Sequence, residues 1–124
     1  MNAYVIPGLK HRDVTKQYFV QKRGIPIQVV IEEACKVFNA DPDKIPKKTR
    51  AQEVVNVRHF VSWFLVKQMG MTLKAVGVDV LGGRDHTTVI NSIRKFSNLY
   101  DTEEMFKDNS NLIVENLMSW TKKL

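Results

Sequence analysis

With 124 residues, 44% of them hydrophobic and 26% charged, the chain has the size and composition of one globular domain with a core of its own. Nineteen lysines and arginines against 13 acidic residues give a net charge of +6, which favours a polyanionic partner, nucleic acid foremost. A single cysteine excludes an internal disulfide and a multi-cysteine zinc site, and no apolar run approaches the ~20 residues of a membrane span. Met1 to Lys10 lacks a signal-peptide core, so a cytoplasmic location is expected.

Residues 1–24 read as a basic N-terminal extension. Pro7-Gly8 marks a turn, and Lys10, His11, Arg12, Lys16, Lys22 and Arg23 face the single acid Asp13. Such an arm is either solvated or adds phosphate contacts. Gly24 separates it from a helix in which Pro26 suits the first turn. Ile27, Val30, Ile31, Ala34, Val37 and Phe38 then follow helical spacing, and Cys35 falls among them as an inert buried thiol. Asn39-Ala40-Asp41-Pro42 ends this helix. The loop Asp43 to Arg50 carries Lys44, Lys47, Lys48 and Arg50, a run that is either a solvated face or a phosphate track.

A long helix follows, with Val54, Val57, Val61, Phe64, Leu65 and Gln68 in one stripe and Phe60 and Trp63 alongside as core rather than as a base-stacking platform. Met69-Gly70 closes it. Thr72 is the expected N-cap of a short helix through Leu73, Val76, Val80 and Leu81. Gly82-Gly83 makes a sharp turn and Asp85 caps the next helix, whose stripe is Val89, Ile90, Ile93, Phe96 and Tyr100. Helix, glycine turn and a second helix with a polar start form a helix-turn-helix pattern. A last helix is expected from Asp101 or Thr102, with Glu103 and Glu104 in its first turn and a kink near Asn109-Ser110.

No catalytic, metal or cofactor site is expected. Asp85 and His86 are adjacent, and so point about 100° apart on a helix, which is not how triad members orient one another. His11, His59 and His86 lack metal-ligand spacing, and no GxxxxGK[ST] loop offers a nucleotide site. Base reading suits the same residues better. Aspartate accepts from the cytosine amino group, a threonine methyl packs on that of thymine, and histidine bonds a base edge.

The run Gly82-Gly83-Arg84-Asp85-His86-Thr87-Thr88-Val89, with Leu73 before it, Arg94-Lys95 after it and a basic loop ending in Arg50, is similar to the C-terminal DNA-binding domain of the bacterial replication initiator DnaA. The resemblance covers residues 25–120. It implies an all-α helical bundle with a Trp repressor-like helix-turn-helix over residues 25–124. It implies base reading by Asp85, His86, Thr87 and Thr88 in the major groove and by Arg50 in the minor groove. It further implies phosphate contacts from Lys47, Lys48, Arg58, His59, Leu73, Lys74, Arg84 and Arg94. The partner it implies is double-stranded DNA with DnaA-box-like sites, together with replication proteins. Three features depart from the family pattern: His59 stands where glutamine is common, Lys74 where proline is common, and the stretch from Leu73 to Gly82 has one extra residue. A different class stays open, an interaction or transcription-regulatory module that has lost box specificity.

Overall fold

A computed structural model describes residues 25–122, so the expectation for the arm of residues 1–24 lies outside the described residues. The described residues form helices joined by turns and loops, with no strand among them. Five helices pack around one core: α1 (Ile27–Phe38), α2 (Gln52–Trp63), α3 (Leu73–Ala75), α4 (His86–Thr102) and α5 (Glu104–Lys122). Both α2 and α3 continue into π-helical turns, Phe64–Gln68 and Val76–Val80, and a 3-10 turn, Pro42–Lys44, follows α1.

Helix α1 buries Val30, Ala34, Cys35 and Phe38 along one stripe. It stops where Asn39 takes a left-handed conformation (φ 59°), and the amide of Ala40 reaches back to the Cys35 carbonyl at 2.9 Å. Asparagine is among the few residues with a side chain that tolerate this geometry. Burial, with the charges of Asp41 and Glu32 nearby, pushes the Cys35 thiol up to about 11, which keeps it protonated and inert.

Aromatic rings tie the helices together. Trp63 of α2 stacks on Phe96 of α4 with ring centroids 4.5 Å apart and planes within 8°. Phe96 also meets Phe106 of α5 edge-on at 5.6 Å, and Phe106 meets Phe38 of α1 at 5.5 Å. Trp63, Phe60 and Phe64 are all buried, as their helical spacing predicts. Each such ring contributes roughly 1.5–3 kcal/mol through the apolar area removed from water. The chain of rings therefore fixes α4 against both α2 and α5.

Three local features differ from the sequence expectation. Helix α4 runs on past Tyr100 to Thr102, and Glu103 alone breaks it from α5 (φ −116°, ψ 105°). Thr102, expected as a cap, instead donates its hydroxyl to the Asn98 carbonyl inside α4. Helix α5 passes through Asn109 and Ser110 without interruption, with Ser110 fully buried. The short helix after Thr72 is ordinary for only one turn. Its remainder closes as a π turn, with the Leu81 amide on the Val76 carbonyl at 3.0 Å. A π turn encloses one residue more than an α turn.

Candidate nucleic-acid interface

Thr72 caps α3, its hydroxyl accepting from the Ala75 amide at 3.0 Å. The turn that follows depends on close backbone approach. The amides of Gly83 and Arg84 both donate to the Gly77 carbonyl, at 3.0 and 2.8 Å. A Cβ on Gly77 would overlap the Arg84 carbonyl, so only glycine fits there. Gly82 has φ +79°, and a Cβ on it would overlap the Pro46 carbonyl. The glycine turn is thus pressed against the basic loop.

Asp85 caps α4. Its Oδ1 accepts from the Thr88 amide at 3.0 Å and from the Thr88 hydroxyl at 3.1 Å. The amide bond, then the hydroxyl bond, hold its carboxyl below the usual carboxylate value. It is an ionised acceptor at the exposed helix start, with capacity beyond these two bonds. Asp85, His86, Thr87 and Thr88 are all exposed. Since the Thr88 hydroxyl donates to Asp85, the methyl and the hydroxyl lone pairs are what it offers outward.

The basic loop is ordered by Arg58, which projects from α2. Its Nε donates to the Ile45 carbonyl at 2.9 Å and its Nη1 to the Thr49 carbonyl at 2.7 Å. Its Nη2 donates to the Lys44 carbonyl at 3.2 Å and also to the Lys47 carbonyl. Arg58 is only 8% exposed. The phosphate contact expected of it meets this different geometry: four of its five N–H groups point inward, to carbonyls of the loop. Lys47, Lys48 and Arg50 themselves stay exposed.

His59, the other α2 side chain expected at a phosphate, is also largely buried. It is 8% exposed, and its Nδ1 lies 3.3 Å from the Ser92 hydroxyl on α4. Burial, helped by the charges of Lys95 and Arg58, lowers its pKa to about 4. A neutral imidazole therefore bridges α2 and α4. Arg84 is half-buried and donates to the Leu81 carbonyl and, at 2.9 Å, to the Lys47 carbonyl. Leu73 is half-buried in the first turn of α3, Lys74 beside it is exposed, and Arg94 is exposed on α4 with Nη1 3.4 Å from Asn91 Oδ1.

The loop and α4 meet across an open cleft of about 380 Å³, lined among others by Arg50, His59, Arg84, Thr88, Asn91 and Lys95. It brings Arg50 onto the same surface as Thr88. Lys74 and Arg94 are not part of its wall. Asn91 and Lys95 join the expected site residues on this wall. Their signal was the spacing Thr88, Asn91, Lys95, which is one face of a helix. Among the described residues no three histidine, cysteine or acidic side chains stand together as a metal cluster would, and no helix is long and apolar enough to cross a membrane.

Comparison with known proteins places the chain in a family. The family described as the bacterial dnaA protein helix-turn-helix matches residues 27–96, more than half of the chain. The chromosomal replication initiator protein DnaA of Ureaplasma parvum is 32% identical over 100 residues, covering 81% of this chain and 21% of that protein. Its counterpart in Porphyromonas gingivalis is 26% identical over 96 residues, 77% of this chain and 20% of the relative. That of Mycoplasma capricolum is 25% identical over 108 residues, 86% and 24%. The chain thus spans between a fifth and a quarter of the length of these relatives. From the capped α3, the glycine turn and the polar start of α4 to the matched residues themselves, the chain belongs to the bacterial DnaA helix-turn-helix family.

Proposed function

We infer that the domain binds double-stranded DNA and reads DnaA-box-like sites, acting in replication initiation or its regulation. The observation that carries this reading is the cleft that sets Arg50 of the basic loop beside the exposed start of α4. A helix N-terminus rich in exposed polar groups suits the major groove, and a flanking arginine suits a narrow A·T minor groove. Asp85 accepts from a cytosine amino group, the Thr88 methyl packs on thymine, and His86 and Thr87 bond neighbouring edges. Lys47, Lys48, Lys74 and Arg94 are exposed cations available to phosphates, and Leu73 in the first turn of α3 is the remaining phosphate candidate. The relatives' name, chromosomal replication initiator protein, supports the biological setting.

Titration of the protein against a DnaA-box duplex and a scrambled duplex, at one salt concentration, tests the reading. Box affinity at least about ten-fold above scrambled is expected, since each correctly read base pair is worth roughly 1–3 kcal/mol. Equal affinities would refute sequence reading and leave a basic, non-specific binder.

A further inference from the structure

The Lys47 carbonyl accepts from two arginines at once, Arg58 of α2 and Arg84 of the glycine turn. Each arginine has a second anchor. Arg58 also holds the carbonyls of Lys44, Ile45 and Thr49, and Arg84 also holds that of Leu81 at the end of the π turn. One backbone oxygen therefore joins the loop that carries Arg50 to the turn that launches α4. Directly beside it, Gly82 lies so close to the Pro46 carbonyl that no side chain fits between them. Bringing two guanidinium groups together is unfavourable unless an acceptor lies between them, and burial and Arg84 both lower the Arg58 pKa. The shared carbonyl supplies that acceptor.

We propose that Arg58 and Arg84 are positioning residues that lock the basic loop to the α4 turn through the Lys47 carbonyl, so that Arg50 and the start of α4 engage DNA as one rigid unit. This rests on the box-reading function for its consequence on DNA, while the lock itself is a property of the free protein. Two N–H groups in a planar fork are what the geometry uses at Arg84, one toward Leu81 and one toward Lys47. Lysine has the same charge but presents a single ammonium on a flexible stem, so it does not reproduce that fork. A phosphate contact needs only the charge. The lock needs the fork.

The test compares Arg84→Lys and Arg84→Met with the parent protein in two measurements. The first is amide hydrogen exchange of the free protein. The Ile45 and Lys47 amides, which bond the Pro42 and Lys44 carbonyls in the loop, are expected to exchange about ten-fold faster or more in both variants, while core amides of α2 stay as protected as before. The second is titration against a box duplex and a box with G·C pairs in the stretch under Arg50. Both variants are expected to lose about three-fold or more of the parent's discrimination between these duplexes. In Arg84→Lys, affinity for a scrambled duplex and its salt slope are expected to remain near the parent's, because the charge is kept. Unchanged exchange at Ile45 and Lys47 overturns the lock whatever the DNA results. Faster exchange with intact A·T discrimination overturns the coupling of the two reading elements. Faster exchange in variants of a parent that does not distinguish box from scrambled duplex supports the lock and refutes box reading. An Arg84→Lys variant identical to the parent in both measurements reduces Arg84 to a charge and overturns the proposal.

Discussion

Replacing Arg58 with methionine keeps the aliphatic stem and removes the guanidinium. Four loop carbonyls, those of Lys44, Ile45, Lys47 and Thr49, then lose a donor. A hydrogen bond from a charged donor is worth about 1.5–3 kcal/mol when fully buried. Three of these four bonds are only partly buried, so about 1 kcal/mol each is the better figure once the carbonyls regain water. Relief of the buried charge offsets part of the sum. The expected loss is about 2–4 kcal/mol, which lowers Tm by roughly 10–25 °C in a domain of this size. Urea denaturation at neutral pH measures it, and a titration of salt dependence on DNA accompanies it. A destabilisation below about 0.5 kcal/mol, together with a salt slope reduced by about one unit, would refute the inward role and restore Arg58 as a phosphate contact.

Further outcomes follow from other residues. His59 has a pKa of about 4 in the fold against an ordinary 6.5. Below about pH 6.5 the unfolded chain takes up a proton that the fold refuses until about pH 4, so stability falls with pH across that window, by up to about 1.4 kcal/mol per unit. His59→Gln removes this contribution, and the stability difference between parent and variant should vary with pH between 6.5 and 4. A constant difference would contradict it. Gly82→Ala forces a left-handed alanine against the Pro46 carbonyl and should cost about 2–4 kcal/mol in a denaturation series. A neutral substitution would show that the loop and turn are not closely pressed. Lys47→Ala with Lys48→Ala should lower the salt slope by about two units on box and scrambled duplexes alike. An unchanged slope would show that these lysines face solvent in the complex.

The helix pattern was legible because apolar side chains recur at helical spacing, and the cap at Asp85 because a carboxylate before a polar first turn has little else to bond. The glycine turn was legible for the same local reason. What lay beyond sequence was the direction taken by long side chains. Arg58 and Arg84 read as surface cations, yet their guanidinium groups close onto backbone carbonyls 9–14 residues away for Arg58 and 37 residues away for the Lys47 bond of Arg84. No local spacing encodes those partners, because they arise only when the loop folds over α2. His59 is similar, since its partner Ser92 is 33 residues distant. The π turn at Val76–Val80 was hidden because a widened turn keeps nearly the same apolar positions as an α turn. The two further residues of α4 past Tyr100 are not legible because polar Asp101 and Thr102 resemble caps.

Substitution of His86 and Thr88 tests most directly whether the start of α4 reads bases. Both are exposed at the start of α4, so alanine at either should leave the fold intact. Each single variant is titrated against box and scrambled duplexes at one fixed salt concentration. His86→Ala and Thr88→Ala are each expected to reduce box affinity by about ten-fold or more while leaving scrambled affinity nearly unchanged, because phosphate contacts remain. Equal losses on the two duplexes would show that these side chains hold DNA without reading it, and would contradict the account.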